Sequence, residues 1–120
     1  MEKFIEHLVT ALKLKSDALR PISSDKKRFS TEGLKVTTKI VVFEVRSTRQ
    51  IFELLELANK EVSSPLKFSV YPVATGKNWG YGSALPSTSS GNVVILDLGK
   101  VNQIRDFDKQ NGIVTVEPGV

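Results

Sequence analysis

Residues 39–74, KIVVFEVRSTRQIFELLELANKEVSSPLKFSVYPVA, decide the fold class. The first seven, KIVVFEV, are β-branched and aromatic and nearly continuous in apolar character, the pattern of a strand covered on both faces. Ser47 or Thr48 can cap the helix that follows, with Gln50 in the capping-box position relative to Ser47. Ile51, Leu54, Leu55, Ala58 and Val62 then form an apolar stripe at helical spacing. The helix is expected to end near Ser63-Ser64-Pro65, because proline drives the residue before it out of helical geometry. KFSVYPVA, residues 67–74, reads as a second strand, with Pro72 marking an edge or a strand end. Strand, helix and strand in this order predict a parallel pair joined by a crossover helix.

Upstream, residues 2–19 carry Phe4, Ile5, Leu8, Val9 and Leu12 at spacings of three and four, which predicts an amphipathic helix stopped by Pro21. His7 adjoins the stripe and reads as a half-exposed surface histidine, since the sequence places no partner for it as a base or ligand. Residues 20–38 have no period and read as a connector. Downstream, Thr75 to Asn92 is a loop with four glycines and a Ser/Thr run. Residues 93–98, VVILDL, are a third strand, VNQIRDFD carries a fourth, and Asn111-Gly112 signals a hairpin turn before IVTVE at 113–117. The expected fold class is α+β. Residues 1–38 form an N-terminal helix and connector, and residues 39–120 form the strand–helix–strand unit with a small mixed sheet.

The whole chain, 120 residues, fits one domain. It has no cysteine, which excludes a disulfide scaffold, a thiolate metal site and a cysteine nucleophile. A single histidine excludes a multi-histidine metal centre, so no metal site is expected. The longest apolar runs, 40–43 and 93–96, have four residues, far short of a membrane span. The N-terminus carries acids and lacks a clean apolar stretch, unlike a secretory signal, so the cytoplasm is the expected compartment. The net charge of +4 lies in the first half, where residues 1–60 hold twelve Lys/Arg against eight Asp/Glu. Part of it is Lys26-Lys27-Arg28, which only Phe29 adjoins. That is a solvated loop rather than a nucleic-acid surface, which would interleave stacking aromatics.

The chemistry is concentrated in TGKNWGYGSA, residues 75–84. Gly76, Gly80 and Gly82 follow a strand end, where backbone can approach a ligand without Cβ in the way. Consecutive N–H groups there can form an anion-binding concavity. Lys77 adds charge, and Thr75, Asn78 and Ser83 add donors, so a phosphate or pyrophosphate is the natural guest. The order Gly-x-x-x-Gly-x-Gly is neither a Walker loop nor a dinucleotide fingerprint. On spacing alone, a glycine-rich turn that binds nothing remains an equal reading.

YPVATGKNWGYGSA, followed by VVILDLGKVNQI, DKQNG and VTVEPGV, resembles the N-terminal part of the FAD-binding domain of the p-cresol methylhydroxylase and vanillyl-alcohol oxidase flavoproteins. STRQIFELLELANK resembles the helix before the loop in that family. The likeness covers about residues 40–120. Gly76-Lys77-Asn78-Trp79-Gly80-Tyr81-Gly82 is similar to the 4-cresol dehydrogenase-like branch. The resemblance implies FAD as cofactor, with Ala74, Thr75, Gly76, Lys77, Asn78, Trp79, Gly80, Tyr81, Gly82 and Ser83 wrapping its pyrophosphate. It places Pro118, Gly119 and Val120 near the flavin. Trp79 and Tyr81 either pack on the cofactor or cover the loop, and Asp97 tidies a strand end. Ser83 stands where glycine is common in the family.

Family members run several times longer than this chain, with a second half to the flavin domain and a cap that forms the substrate pocket. The family's catalytic residues match nothing here. The resemblance therefore implies an FAD-binding segment of an oxidoreductase acting on para-substituted phenols or similar alcohols. The other reading is a non-catalytic half-domain that binds a phosphate-bearing ligand or a second chain completing the flavin domain.

Overall fold

The structure, a computed structural model, describes residues 2–15, 17–22, 39–76 and 91–120. In chain order the elements are α1 (Glu2–Ala11), β1 (Leu19–Pro21), β2 (Lys39–Glu44), α2 (Thr48–Lys60), β3 (Phe68–Val73), β4 (Asn92–Asp97), β5 (Ile104–Asp108) and β6 (Ile113–Val116). β1 to β4 form one sheet in the order β1-β2-β4-β3, and β5 and β6 form a separate hairpin. The α+β class is as expected.

β2 behaves as its composition demands. Ile40, Val41, Val42 and Phe43 are all buried, because successive side chains enter two different cores. Val41, Phe43 and Val45 join Val94 and Leu96 of β4 beneath Phe4 and Leu8 of α1 and Leu54 of α2. Ile40, Val42, Val73, Val93 and Ile95 pack together on the opposite face. Burying each of the larger of these side chains contributes roughly 1.5–3 kcal/mol. Phe4 also meets Phe68 of β3, ring centroids 5.7 Å apart and tilted by 58°. The N-terminal helix thus shares the core of the sheet.

β2 and β3 are parallel to one another but not adjacent. Each pairs with β4, which lies between them. The sequence order gave no sign of this insertion, since a crossover helix can clear one strand position as easily as none. Pro72 sits on β3, an edge of this sheet, as its missing N–H requires.

The helix expected over residues 2–19 is shorter. α1 stops at Ala11, and Lys13 takes a left-handed conformation at φ 51°. The Lys13 amide donates to the Thr10 carbonyl (3.3 Å) and the Leu14 amide to the Val9 carbonyl (2.9 Å). This is the two-bond helix ending normally built on glycine. Leu14 then packs against the core beside Val9, which offsets the strain. The chain turns back, and Leu19–Pro21 adds to the sheet antiparallel to β2. Hydrophobic spacing continues past the helix end because Leu12 and Leu14 still face the core, so periodicity alone overshoots.

α2 starts as read. Ser47 is the N-cap, its hydroxyl accepting from the Gln50 amide, while Gln50 Oε1 accepts from the Arg46 amide at 2.8 Å. The helix ends at Lys60, before the expected Ser63-Ser64-Pro65, and Val62 is exposed beyond it. The last turn closes through Glu61, whose amide donates to the Leu57 carbonyl. His7, half-buried on α1, places Nε2 3.0 Å from the carboxylate of Glu61, the C-cap of α2.

The Asn-Gly hairpin forms, with a four-residue connection rather than a two-residue one. Asp108 Oδ1 accepts from the amides of Gln110 (3.0 Å) and Asn111 (3.1 Å), and only Gly112 takes a positive φ, 66°. A two-residue turn of the Asn-Gly type needs positive φ at both positions.

Candidate flavin-binding edge

The parallel strands run in register, so their carboxyl ends are level. Glu44 of β2 is paired with Asp97 of β4, and Asp97 with Val73 of β3. The ladder continues past the strands: the Val45 amide donates to the Asp97 carbonyl at 3.1 Å, and the Leu98 amide to the Val73 carbonyl at 2.8 Å. Ligands of open parallel sheets bind outside this carboxyl edge.

Two of the sequence segments singled out for binding are tied to this edge through Leu98. The first leaves β3 directly: half-buried Ala74, exposed Thr75, then Gly76 with φ 70°. That conformation turns the chain with no Cβ on its surface. The rest of that segment, Lys77, Asn78, Trp79, Gly80, Tyr81, Gly82 and Ser83, lies outside the described residues. So does the basic cluster at 26–28.

The second segment is Glu117 to Val120. The Gly119 amide donates to the Val101 carbonyl at 2.8 Å, and Gly119 lies against the carbonyls of Leu98, Gly99 and Val101. Pro118 and Val120 are exposed beside it. Leu98 therefore connects the two: its amide holds the end of β3 and its carbonyl faces Gly119. Glu117 orients this turn. Its carboxylate accepts from the Gln103 amide at 2.8 Å and pairs with Arg105. The Gln103 amide first, and the Arg105 guanidinium after it, hold the Glu117 carboxyl below the usual carboxylate range.

A charged cluster completes the edge, one that the sequence reading did not assemble. Asp97 is almost fully buried. Its Oδ1 accepts from the Gly99 amide at 3.0 Å, which tidies the strand end. Its Oδ2 lies 3.5 Å from the Arg20 guanidinium. Arg20 also bonds Glu44 at 3.2 Å, and Glu44 bonds Arg46 at 3.0 Å. Asp97 was visible as a strand-end acid. Arg20 was not, because it fell at the start of the segment read as a connector. A groove of about 830 Å³ opens beside this cluster and runs along α2, lined in part by Lys13, Arg46, Arg49 and Lys60.

At this edge Gly76 turns the chain just past β3 with φ 70°, and the Gly119 turn packs against the backbone carbonyls that follow β4. The family described as "FAD binding domain" matches residues 40–120.

The chain belongs to that family.

Two relatives of the FAD binding domain share its sequence locally. One, "1'-carboxy-chondrochloren decarboxylase" of Chondromyces crocatus, is 53% identical over 51 residues, 42% of this chain and 9% of the relative. The other, "4-cresol dehydrogenase [hydroxylating] flavoprotein subunit" of Pseudomonas putida, is 46% identical over 54 residues, 45% of this chain and 10% of the relative. The matched segments are therefore about a tenth of each relative. FAD is the cofactor of this FAD binding domain.

Proposed function

We propose that the chain is the pyrophosphate-holding segment of an FAD-dependent oxidoreductase acting on para-substituted phenols or similar alcohols. The glycine turn at Gly76, with φ 70° just past the carboxyl end of β3, carries the reading. Backbone amides of Ala74 to Ser83 hold the pyrophosphate, with Lys77 adding charge. Pro118, Gly119 and Val120 lie on the flavin side. Bound flavin supplies the hydride acceptor, while this chain binds and orients it. The substrate class rests on the likeness to the 4-cresol dehydrogenase flavoprotein subunit. The cytoplasm is the proposed compartment, and nucleic acid and membrane are not partners in this reading.

The test is titration of the purified chain with FAD and with riboflavin, which lacks the pyrophosphate, followed by flavin fluorescence and melting temperature. Tighter binding of FAD, with a raised melting temperature, is expected. Equal affinity for the two overturns the pyrophosphate reading. Bleaching of the flavin by a para-substituted phenol with this chain alone overturns the view that substrate chemistry needs further polypeptide.

A second reading has its own observation. β5 and β6 leave Ile104, Phe107, Ile113, Val114 and Val116 exposed. A hairpin with so little cover suits a half-domain completed by a second chain. A folded chain that binds neither flavin would favour that reading.

A further inference from the structure

One guanidinium at the carboxyl edge spans two acids. Arg20 donates from Nη1 to Glu44 at 3.2 Å, and its Nη2 lies 3.5 Å from Asp97. The arrangement follows from the register. Arg20 of β1 pairs with Val42 of β2, and Val42 packs with Val73, Val93 and Ile95 on one face of the sheet. Alternation along β2 and β4 brings Glu44 and Asp97 to that same face, at the ends of their strands. Both acids are largely withdrawn from water, so each needs a cation close by. Among the described residues the cluster balances: Glu44 and Asp97 stand against Arg20 and against Arg46, which reaches Glu44 from a side chain 75% exposed.

These acids stand beside the turn assigned to the pyrophosphate. Asp97 pairs with Val73, the last residue of β3, so it is one strand spacing, about 4.8 Å, from the start of that turn. Glu44 is two spacings away. Both distances are comparable with the Debye length, about 8 Å at physiological salt, and burial weakens screening further. Two uncompensated carboxylates here would repel an anionic guest. Arg46 compensates weakly, because it is exposed and screened by water. Arg20 supplies the more buried compensating charge, and it lies outside residues 40–120, which match the FAD binding domain.

We propose that Arg20 makes this edge selective for a diphosphate-bearing flavin, by neutralising Glu44 and Asp97 beside the turn that leaves β3. This rests on the pyrophosphate reading given above. Arg20 acts through the two acids, as a positioning residue, and the segment before residue 40 is thereby part of the flavin site.

The test measures the affinities of the full chain for FAD and for riboflavin, which lacks the pyrophosphate, at low and at high salt. Their ratio isolates the diphosphate, since a general loosening of the fold lowers both together. Arg20→Gln removes one charge and is expected to lower the preference for FAD about tenfold at low salt, as for a unit charge about 10 Å away in a partly buried setting, and by less at high salt. Arg20→Lys keeps the charge and should keep the preference, even where it melts earlier. Glu44→Gln removes a negative charge and should raise the preference about threefold. An equal loss of both flavins in Arg20→Gln, the mark of a merely structural role, overturns the proposal, and so does a preference for FAD that survives that substitution. Loss of the preference in Arg20→Lys, or an unchanged preference in Glu44→Gln, overturns it as well, and these two variants decide the matter if Arg20→Gln does not fold. A wild-type chain that binds both flavins equally, or neither, overturns the pyrophosphate reading itself and the proposal with it.

Discussion

Gly119 lies so near the carbonyl oxygen of Leu98 that a β-carbon on it would sit 2.7 Å from that atom. Two further backbone carbonyls, of Gly99 and Val101, would be met at 2.9 and 2.8 Å. Backbone cannot swing aside as a side-chain tip can. Gly119→Ala is therefore expected to destabilise the chain by about 1–3 kcal/mol through overpacking. Thermal melting checks this. An alanine variant that melts with the wild-type chain would show that the 117–120 turn is not pinned to the β4 exit.

Asp97 and Glu44 share Arg20 but differ in burial. The Asp97 side chain is 2% exposed and that of Glu44 19%. Removing Asp97 leaves the Gly99 amide and part of the guanidinium without their acceptor. Asp97→Ala is expected to lower stability by about 1–3 kcal/mol. Glu44→Ala should lower it by less, about 1 kcal/mol or below, as for an ion pair nearer water. Urea midpoints with unchanged slopes measure both. Equal losses would show that burial does not set the difference.

Lys13 occupies a position that glycine suits, at φ 51°. Left-handed backbone costs an L-residue about 1–2 kcal/mol, and glycine's greater freedom in the unfolded chain returns about 0.5–1 kcal/mol of that. Lys13→Gly is expected to raise stability by the difference, about 0.5 kcal/mol, while Lys13→Val should lower it. Denaturation of the pair checks the sign. A less stable glycine variant would refute the account of the α1 ending.

The hairpin carries two acids held below the usual carboxylate range. Asp108 is held there by the Asn111 side chain first, then by the Asn111 and Gln110 amides. Glu117 is held there by the Gln103 amide and Arg105. Lowered folded values mean that both acids contribute above the unfolded carboxylate range, about pH 4, and that the contribution fades as pH falls through the folded values. Hydrogen exchange at the Gln103 and Asn111 amides should thus be steady from neutral pH to about pH 5 and should lose protection below it. Protection that falls between neutrality and pH 6 would contradict this assignment.

The residues with one strong local demand were legible. Ser47 and Gln50 announce a helix start, Asn111-Gly112 a hairpin, and Ile40 to Phe43 a strand with two buried faces. Their signals are fixed within a few residues of chain. Non-local relationships were not legible. Nothing in residues 67–98 says that β4 inserts between β2 and β3. Nothing in Leu19-Arg20-Pro21 says that it reaches β2, because its register partner is more than twenty residues away. Of the candidate site, Gly76 and Gly119 could be named from their motifs. That Leu98 holds both the end of β3 and the Gly119 turn required the sheet to be assembled. The Arg20–Asp97 pair stayed hidden for the same reason.

Pro72 has a consequence for how the sheet ends. The Val73 carbonyl points inward to the Leu98 amide, so by alternation Pro72 points its nitrogen outward. The outer side of β3 therefore lacks a donor at its carboxyl end. A stray extended segment that tried to add itself there would find a gap in the ladder where it needs a hydrogen bond. The rim of the sheet is thus guarded against growth into larger aggregates, by one ring closed on a backbone nitrogen.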